Sequence, residues 1–346
     1  MSKKIGIAVV GCGIISPWHI KSILLNKDAA LVAVCDNNEL KAREVAIKYG
    51  VDWYTDYRKL LKREDLDAVC LSSPSSLHAE QTVLAAKAGI HVLTEKPIAV
   101  TLKDADKMIN ACKKAKVKLG VIFQRRTDPK CIAIKRALEN NELGKLVLGD
   151  VYIKYYRGQD YYDSAGWRGT WKFDGGGCLM NPGIHLVDLM LWFMGPVDTI
   201  FGYAKHILRK IEVDDTAIAV VKFKNGAMGV IEGATSIYPP NVPHRFEIHG
   251  EKGTIMWEGE DIVRWDIKDR NGSIKSKLSE IKKINSFSII SKSDVGMEGH
   301  RRQIFDFVDA IKNDRDPMVT GEEARKSIEL VLSLYKSNKT HKLVKM

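Results

Sequence analysis

The chain has six cysteines and no Cys-x-x-Cys pair. That absence removes the spacing expected of a structural zinc site or a redox dithiol. Cys12, Cys35, Cys70, Cys112, Cys131 and Cys178 are scattered rather than grouped as a disulfide framework, and no metal is expected. Cys35 and Cys70 fall in apolar runs, which predicts buried, reduced thiols. No uninterrupted apolar stretch approaches the ~20 residues that span a bilayer. Met1-Ser2-Lys3-Lys4 leads directly into a six-residue apolar segment and a glycine, without the longer apolar core of an export signal. A cytoplasmic protein with no membrane partner is the expectation. Lysine and arginine exceed acidic residues by 54 to 43, yet no aromatic interleaving or recognition motif accompanies them. Nucleic acid is therefore not an expected partner. The excess reads as a solvated surface, with a share able to focus anionic substrates.

What the sequence does hold is alternation. Apolar runs at 5–10, 30–35, 68–72, 90–94 and 117–123 are separated by amphipathic stretches at 18–25, 39–49, 78–88 and 102–116. Continuous apolar strands between helices predict a parallel sheet covered on both faces, a doubly wound α/β Rossmann domain. After Asp128-Pro129 the pattern changes to successive alternating runs at 146–156, 199–206, 216–222, 227–235, 245–250 and 253–257, joined by turn signals such as Asn225-Gly226. That pattern predicts an α+β domain with a large, mostly antiparallel sheet. The division expected is residues 1–124 for the nucleotide-binding domain and 125–346 for substrate binding and oligomerisation. An open sheet face needs a cover, and a homo-dimer or homo-tetramer would supply it.

Gly11-Cys12-Gly13-Ile14-Ile15-Ser16 follows the first strand and opens a helix. It departs from the full G-x-G-x-x-G fingerprint by its serine. The strand before it, the helix after it and Asp36 at the end of the second strand supply the context the motif requires. Gly11 allows the tight turn, Gly13 lets a pyrophosphate approach, and the backbone of Ile14 and Ile15 lies at the helix start. Asp36 can bind both ribose hydroxyls and repels a 2′-phosphate, which predicts NAD rather than NADP. Ser73, Pro74 and His78 follow the fourth strand, where they line a cofactor crevice or, for His78, cap a helix.

Two further stretches carry proton chemistry. Glu95-Lys96-Pro97 ends a strand, so Lys96 can donate to a substrate alcohol oxygen or simply pair with Glu95 in a surface turn. Asp174-Gly175-Gly176-Gly177 precedes Asn181-Pro182-Gly183-Ile184-His185 and Asp188. Asn181 as N-cap and Pro182 in the first turn place His185 near a helix N-terminus, with Asp188 one turn on to fix its tautomer. The glycines would let substrate or nicotinamide lie against bare backbone. Alternatively, His185 is a buried structural histidine of a core helix.

The glycine turn, Asp36, Glu95-Lys96-Pro97, the Phe123-Gln124-Arg125-Arg126 junction and the glycine-rich stretch before His185 resemble the Gfo/Idh/MocA family. The likeness covers nearly the whole chain. It implies a two-domain NAD(P)-dependent enzyme acting on sugars, cyclitols or their derivatives. Lys96 and His185 fall at the family's catalytic positions, with Gly11, Gly13, Ile14, Ile15, Asp36, Ser73, Pro74, His78, Glu95, Lys96 and Gln124 toward the cofactor. The family often has aspartate four residues before the histidine; here Asn181 stands there, which leaves open whether His185 or Lys96 takes the proton. Trp167-Arg168-Gly169-Thr170-Trp171 with the stretch to Asn181 looks most like the branch oxidising UDP-N-acetylglucosaminuronate at its 3-hydroxyl. Lys96, Arg168, Asn181, His185 and Arg245 are the substrate-binding candidates, and Arg157, Asn241 and His244 are either further contacts or ordinary loop polarity. Other readings are an inositol or free-sugar dehydrogenase, an NADP-holding aldose–aldose oxidoreductase, disfavoured by Asp36, and an NAD-sensing regulator without turnover.

Overall fold

A computed structural model describes residues 3–281, 283 and 295–346. The chain divides into two compact units, residues 1–124 with 290–325 and residues 125–289 with 326–346. The first unit opens with β1 (Ile5–Val10), α1 (Ser16–Leu25), β2 (Ala29–Cys35), α2 (Glu39–Tyr49), β3 (Asp52–Tyr54), α3 (Tyr57–Leu60) and β4 (Ala68–Leu71). It continues through α4 (His78–Lys87), β5 (His91–Thr94), α5 (Leu102–Ala115) and β6 (Leu119–Val121). All six strands are parallel, in the order β3-β2-β1-β4-β5-β6. The order reverses between β1 and β4, and ligands of such sheets bind at that switch point, beyond the strands' carboxyl ends. Local chemistry sets the helix ends: the Asn38 side chain caps α2 by accepting from Lys41 N, and Gly50 closes it at φ 67°.

The second unit contains α6 (Pro129–Glu139), β7 (Leu146–Lys154), α7 (Gln159–Asp163), α8 (Ile184–Met194), β8 (Val197–Lys205), β9 (Thr216–Phe223) and β10 (Met228–Ala234). Strands β11 (Arg245–Gly250), β12 (Gly253–Glu258), β13 (Asp261–Lys268) and β14 (Ile274–Ser276) follow, then the short helix α9 (Leu278–Ile281). Helices α10 (Val295–Lys312) and α11 (Gly321–Thr340) and the two-residue strand β15 (Val344–Lys345) end the chain. The nine strands run β14-β13-β12-β11-β7-β10-β9-β8-β15, antiparallel except for β10 on β7. In β9, Ala217, Ala219 and Val221 are buried while Ile218 and Val220 face outward. The alternation that marked the strand from sequence is thus a one-sided sheet.

One boundary differs from the linear division at residue 124. Helix α10 belongs with the first unit, because Ile304, Phe307 and Val308 join Ile7, Val9, Ile20 and Leu93 in its core. All six cysteines are free and buried. Among the described residues, no helix is long and apolar enough to cross a membrane.

Candidate active site

The first unit holds the glycine turn. Gly11 sits at φ +96°, and a Cβ there would lie 2.7 Å from the Ser72 and Ser73 backbone, so glycine is required. A Cβ on Gly13 would meet nothing within 4 Å. That open space in front of the backbone is what a pyrophosphate needs, and the residues fit the cofactor. Ser16, in place of the last glycine, is buried and donates from Oγ to Gly13 O at 2.8 Å, closing the turn onto α1. Ile15 immediately precedes α1, and Ile14 stands 88% exposed. Asp36 accepts from Cys12 N and Asn38 N, both at 2.8 Å, which fixes its carboxylate beside the turn.

Beyond β4, the Ser73 hydroxyl bonds Gln81, and Pro74 leads into a single 3₁₀ turn at Ser75–Leu77. His78 begins α4 fully buried; its Nδ1 lies 3.0 Å from Pro97 O and its Nε2 3.0 Å from Ser73 O. It ties the turn after β4 to the turn after β5, which is a supporting position behind both. Burial pulls its pKa below the ordinary value, against the pull of these carbonyl partners. Lys96 is half-buried, and its bond to Pro97 is cis. The Glu95 carboxylate points inward, to His19 and His300, and not into a surface pair with Lys96. Gln124 follows β6 at the start of a 3₁₀ turn, with its side chain under Gly299.

The second unit holds the histidine. Helix α8 starts at Ile184 with Gly183 as its N-cap residue, and the Asn181–Pro182 bond is cis. Asn181 is therefore not the cap and Pro182 is not the first helical residue. His185 nonetheless occupies the second position of α8, half-buried, where free backbone N–H groups and the helix dipole disfavour its cation. The Asn181 amide donates from Nδ2 to Asp174 Oδ1 at 3.1 Å, and Asp174 Oδ2 accepts from Gly169 N at 2.8 Å. Asp188 is claimed by Arg126 through two 2.7 Å bonds and by Ser327 at 3.2 Å. These bonds give Asp188 an anchoring role on α8.

The glycine run also turns out to serve the interior. A Cβ on Gly177 would overlap Asp214 O, and one on Gly176 would sit 2.6 Å from the Tyr335 hydroxyl. Asp214 receives Gly177 N and Cys178 N, each at 3.1 Å, together with the Cys178 thiol at 3.0 Å. Burial raises the Asp214 pKa above the usual carboxylate range. The segment before Asn181 is thus clamped from beneath.

Arginines and tyrosines cluster in the same unit. The Arg168 guanidinium lies 4.0 Å from the Tyr161 ring centre and Arg157 lies 4.8 Å from it. The Nε atoms of Arg157 and Arg168 are buried without a hydrogen-bond partner among the described residues. Of the other candidates, Arg245 pairs with Glu247 at 2.6 Å, His244 accepts Lys154 N at 3.0 Å, and Asn241 is exposed. The sequence motifs contain Asp174 and Arg126 but do not disclose them as partners of Asn181 and Asp188, and nothing in them points to His300. Only the acidic residue heading the glycine run could have signalled the first; the others act across long sequence separations.

Residues 5–123 match the model of the oxidoreductase family with an NAD-binding Rossmann fold, and residues 131–256 match the GFO/IDH/MocA C-terminal domain. The chain is similar to the WlbA dehydrogenase of Bordetella pertussis, whose structure contains NADH and UDP-GlcNAcA (31% identity, TM-score 0.89, 99% of each chain). It is also similar to WlbA of Chromobacterium violaceum, with the same two ligands (32% identity, TM-score 0.91, 100% and 97% of the chains). Myo-inositol 2-dehydrogenase of Thermotoga maritima is 29% identical over 98% of each chain. With the glycine turn, Asp36 and the two-sheet architecture in place, the chain belongs to the GFO/IDH/MocA family of NAD-binding oxidoreductases.

Proposed function

We propose that the protein oxidises a secondary ring hydroxyl of an anionic sugar nucleotide with NAD, the best-supported substrate being UDP-N-acetylglucosaminuronate at C3. The observation that carries the reading is the arginine pair of the second unit. Arg157 and Arg168 each keep a buried Nε–H without a partner among the described residues, stacked on Tyr161. Unpaired buried donors on a cation are costly, and a carboxylate or diphosphate is their chemical complement. A neutral cyclitol offers no charge to them. The likeness to two WlbA structures holding NADH and UDP-GlcNAcA points the same way.

NAD, when bound, supplies the hydride acceptor. His185, kept neutral at the start of α8, accepts the hydroxyl proton. Lys96 is the group that stabilises the charge developing on the substrate oxygen. Asn181, held by Asp174, orients the approach to His185, and Gly11, Gly13 and Asp36 hold the cofactor. A cytoplasmic homo-oligomer, closed over the exposed face of the second sheet, completes the reading.

The 29% identity with an inositol dehydrogenase favours a second reading, a free-polyol dehydrogenase. NADH formation with UDP-N-acetylglucosaminuronate and with myo-inositol separates the two. Turnover of the sugar nucleotide, lost on Arg168→Ala mainly through KM, is expected; faster turnover of myo-inositol would overturn the assignment. His185→Ala should lower kcat by about 10²–10⁴-fold with NAD affinity nearly unchanged. A larger loss in Lys96→Ala, with His185→Ala acting mainly on KM, would move the base role to Lys96. An NAD-binding chain that turns over neither substrate would be the regulator.

A further inference from the structure

Glu95 is the residue before Lys96, and its carboxylate is buried. An isolated carboxylate in such a place is strongly unfavourable, so its charge must be met by donors. Three N–H groups meet it. His19 Nε2, from α1, and His300 Nε2, from α10, each lie 2.9 Å from Oε1, and Lys96 N donates to Oε2 at 3.3 Å. The cluster therefore joins the helix that follows the glycine turn, a late helix of the same unit, and the backbone of the candidate lysine.

Three such side chains could in principle hold a metal ion. Ligands of a tetrahedral zinc at ~2.0–2.1 Å lie about 3.4 Å apart. The 2.9 Å separations here are hydrogen-bond lengths. The three side chains therefore form a hydrogen-bonded cluster.

The other titratable groups facing Glu95 are the Cys70 thiol on β4, held neutral by burial, and His78 on α4, occupied by two carbonyls. Neither supplies a compensating charge. His19 is fully buried and its Nδ1 has no hydrogen-bond partner among the described residues, so its neutral form with a hydrogen on Nε2 fits; a cation there would strand an N–H. Burial accordingly lowers the His19 pKa, whereas the two imidazoles together hold Glu95 well below the usual carboxylate range against its own burial.

We propose that His19 and His300 are positioning residues that fix Lys96 through Glu95, the charge of the buried carboxylate being balanced on the imidazole pair. The inference rests on the reading of Lys96 as the residue that stabilises the substrate oxygen. Glu95 is fastened at both oxygens, so the peptide that carries Lys96 is fastened to α1 and α10. Loss of one imidazole donor lets that peptide shift, and ångström-scale misplacement costs about 10- to 100-fold in rate.

The test uses the purified full chain with Glu95→Gln, His300→Leu, His300→Gln and Lys96→Ala. NADH formation is followed with UDP-N-acetylglucosaminuronate and with myo-inositol, and NAD affinity is measured by titration. Glu95→Gln and His300→Leu should lower kcat by about 10- to 100-fold while the NAD Kd moves less than about 3-fold. His300→Gln, which keeps a terminal N–H within reach of Oε1, should recover part of the loss. Wild-type kcat in His300→Leu and Glu95→Gln, with Lys96→Ala inactive, overturns the inference alone. Wild-type kcat in Lys96→Ala overturns the underlying reading of Lys96 and the inference with it. Parallel loss of kcat and NAD affinity, without rescue by His300→Gln, would show a merely structural cluster. Nitrogen-15 imidazole spectra give a readout independent of substrate: two hydrogen-bonded Nε2–H signals, both altered in Glu95→Gln, are expected, and two freely titrating imidazoles would refute the arrangement.

Discussion

Arg126 holds Asp188 through two parallel hydrogen bonds of 2.7 Å, with both side chains at least 96% buried. The pair joins the segment before α6 to the middle of α8, the helix on which His185 sits near the start. Ser327 adds a third contact to the same carboxylate. Breaking a buried pair by removing one partner strands the other charge, at about 3–5 kcal/mol. Arg126→Ala should therefore lower unfolding free energy by roughly that amount in denaturant titrations. The double replacement Arg126→Leu with Asp188→Leu should be milder than either single one. A single variant costing under about 1 kcal/mol would mean that the pair does not anchor α8.

Asp36 predicts cofactor choice. Its oxygens are held by Cys12 N and Asn38 N, so the carboxylate cannot swing away from an incoming 2′-phosphate without giving up both bonds. Calorimetric titration should show NAD binding more tightly than NADP, and Asp36→Ala should narrow the gap. Tighter binding of NADP by the wild type contradicts this.

The parallel sheet was legible because Ile7–Val10, Val34-Cys35 and Ala68–Leu71 are unbroken apolar runs, buried along their whole length. Strand β13 was not legible. Its buried residues Ile262 and Trp265 are three apart, and the register with β12 shifts between Met256 and Trp257, so period-two alternation is lost. The place of α10 was hidden for another reason. Its apolar stripe reads as core-facing, but nothing local says that Phe307 belongs with Ile7, three hundred residues earlier. At the candidate site, motif and context single out His185, Lys96 and Gly11, and helical spacing puts Asp188 one turn from His185. Arg126, 62 residues away, is a partner that spacing cannot disclose.

His244 gives a pH prediction. Its Nδ1 accepts the Lys154 N–H at 3.0 Å, a bond that only neutral imidazole can make, and burial first, then the charge of Arg125, lowers its pKa from 6.5 to about 4. The unfolded chain takes up this proton near 6.5 and the folded chain only near 4. The contribution to stability is thus complete above pH 6.5 and is lost as the pH falls through about 4. His244→Asn retains an acceptor in the Nδ1 position without titrating. Unfolding measurements from pH 7 to 4 should show a fall that is smaller in the variant by roughly 2–3 kcal/mol. Parallel curves for the two proteins would remove His244 from the acid response.

The outward face of the second sheet predicts association. Tyr203 lies opposite Ile218, and with Val220 and Met228 these side chains are each about half exposed on three adjacent strands. An exposed apolar patch of this kind is a candidate contact surface. Light scattering at micromolar concentration should give a dimer or tetramer, and Val220→Asp should shift it toward monomer. A monomeric wild type would leave the patch without this role.

The family resemblance leads one to expect aspartate where Asn181 stands, and Asp174 tells what that exchange would entail. The Asn181 amide donates to Asp174 Oδ1 at 3.1 Å, so Asn181→Asp would set one carboxylate against another. Two such groups cannot both ionise cheaply, and one is driven to keep its proton above the ordinary range near 4. A carboxyl whose folded pKa is raised binds its proton more tightly when folded. Relative to wild type, the variant should therefore lose stability as the pH rises from about 4, levelling off once the raised pKa is passed. Adding Asp174→Asn restores one amide and one acid with their places exchanged, and should recover most of the lost stability. If His185 is the base, the exchanged carboxylate also lies closer along the chain to the imidazole, and the acidic limb of the rate profile should move to higher pH. Stability of Asn181→Asp that follows wild type from pH 4 to 8 would show that Asp174 does not face this position in solution. An unmoved limb in a folded, active double variant would count against His185 as the base.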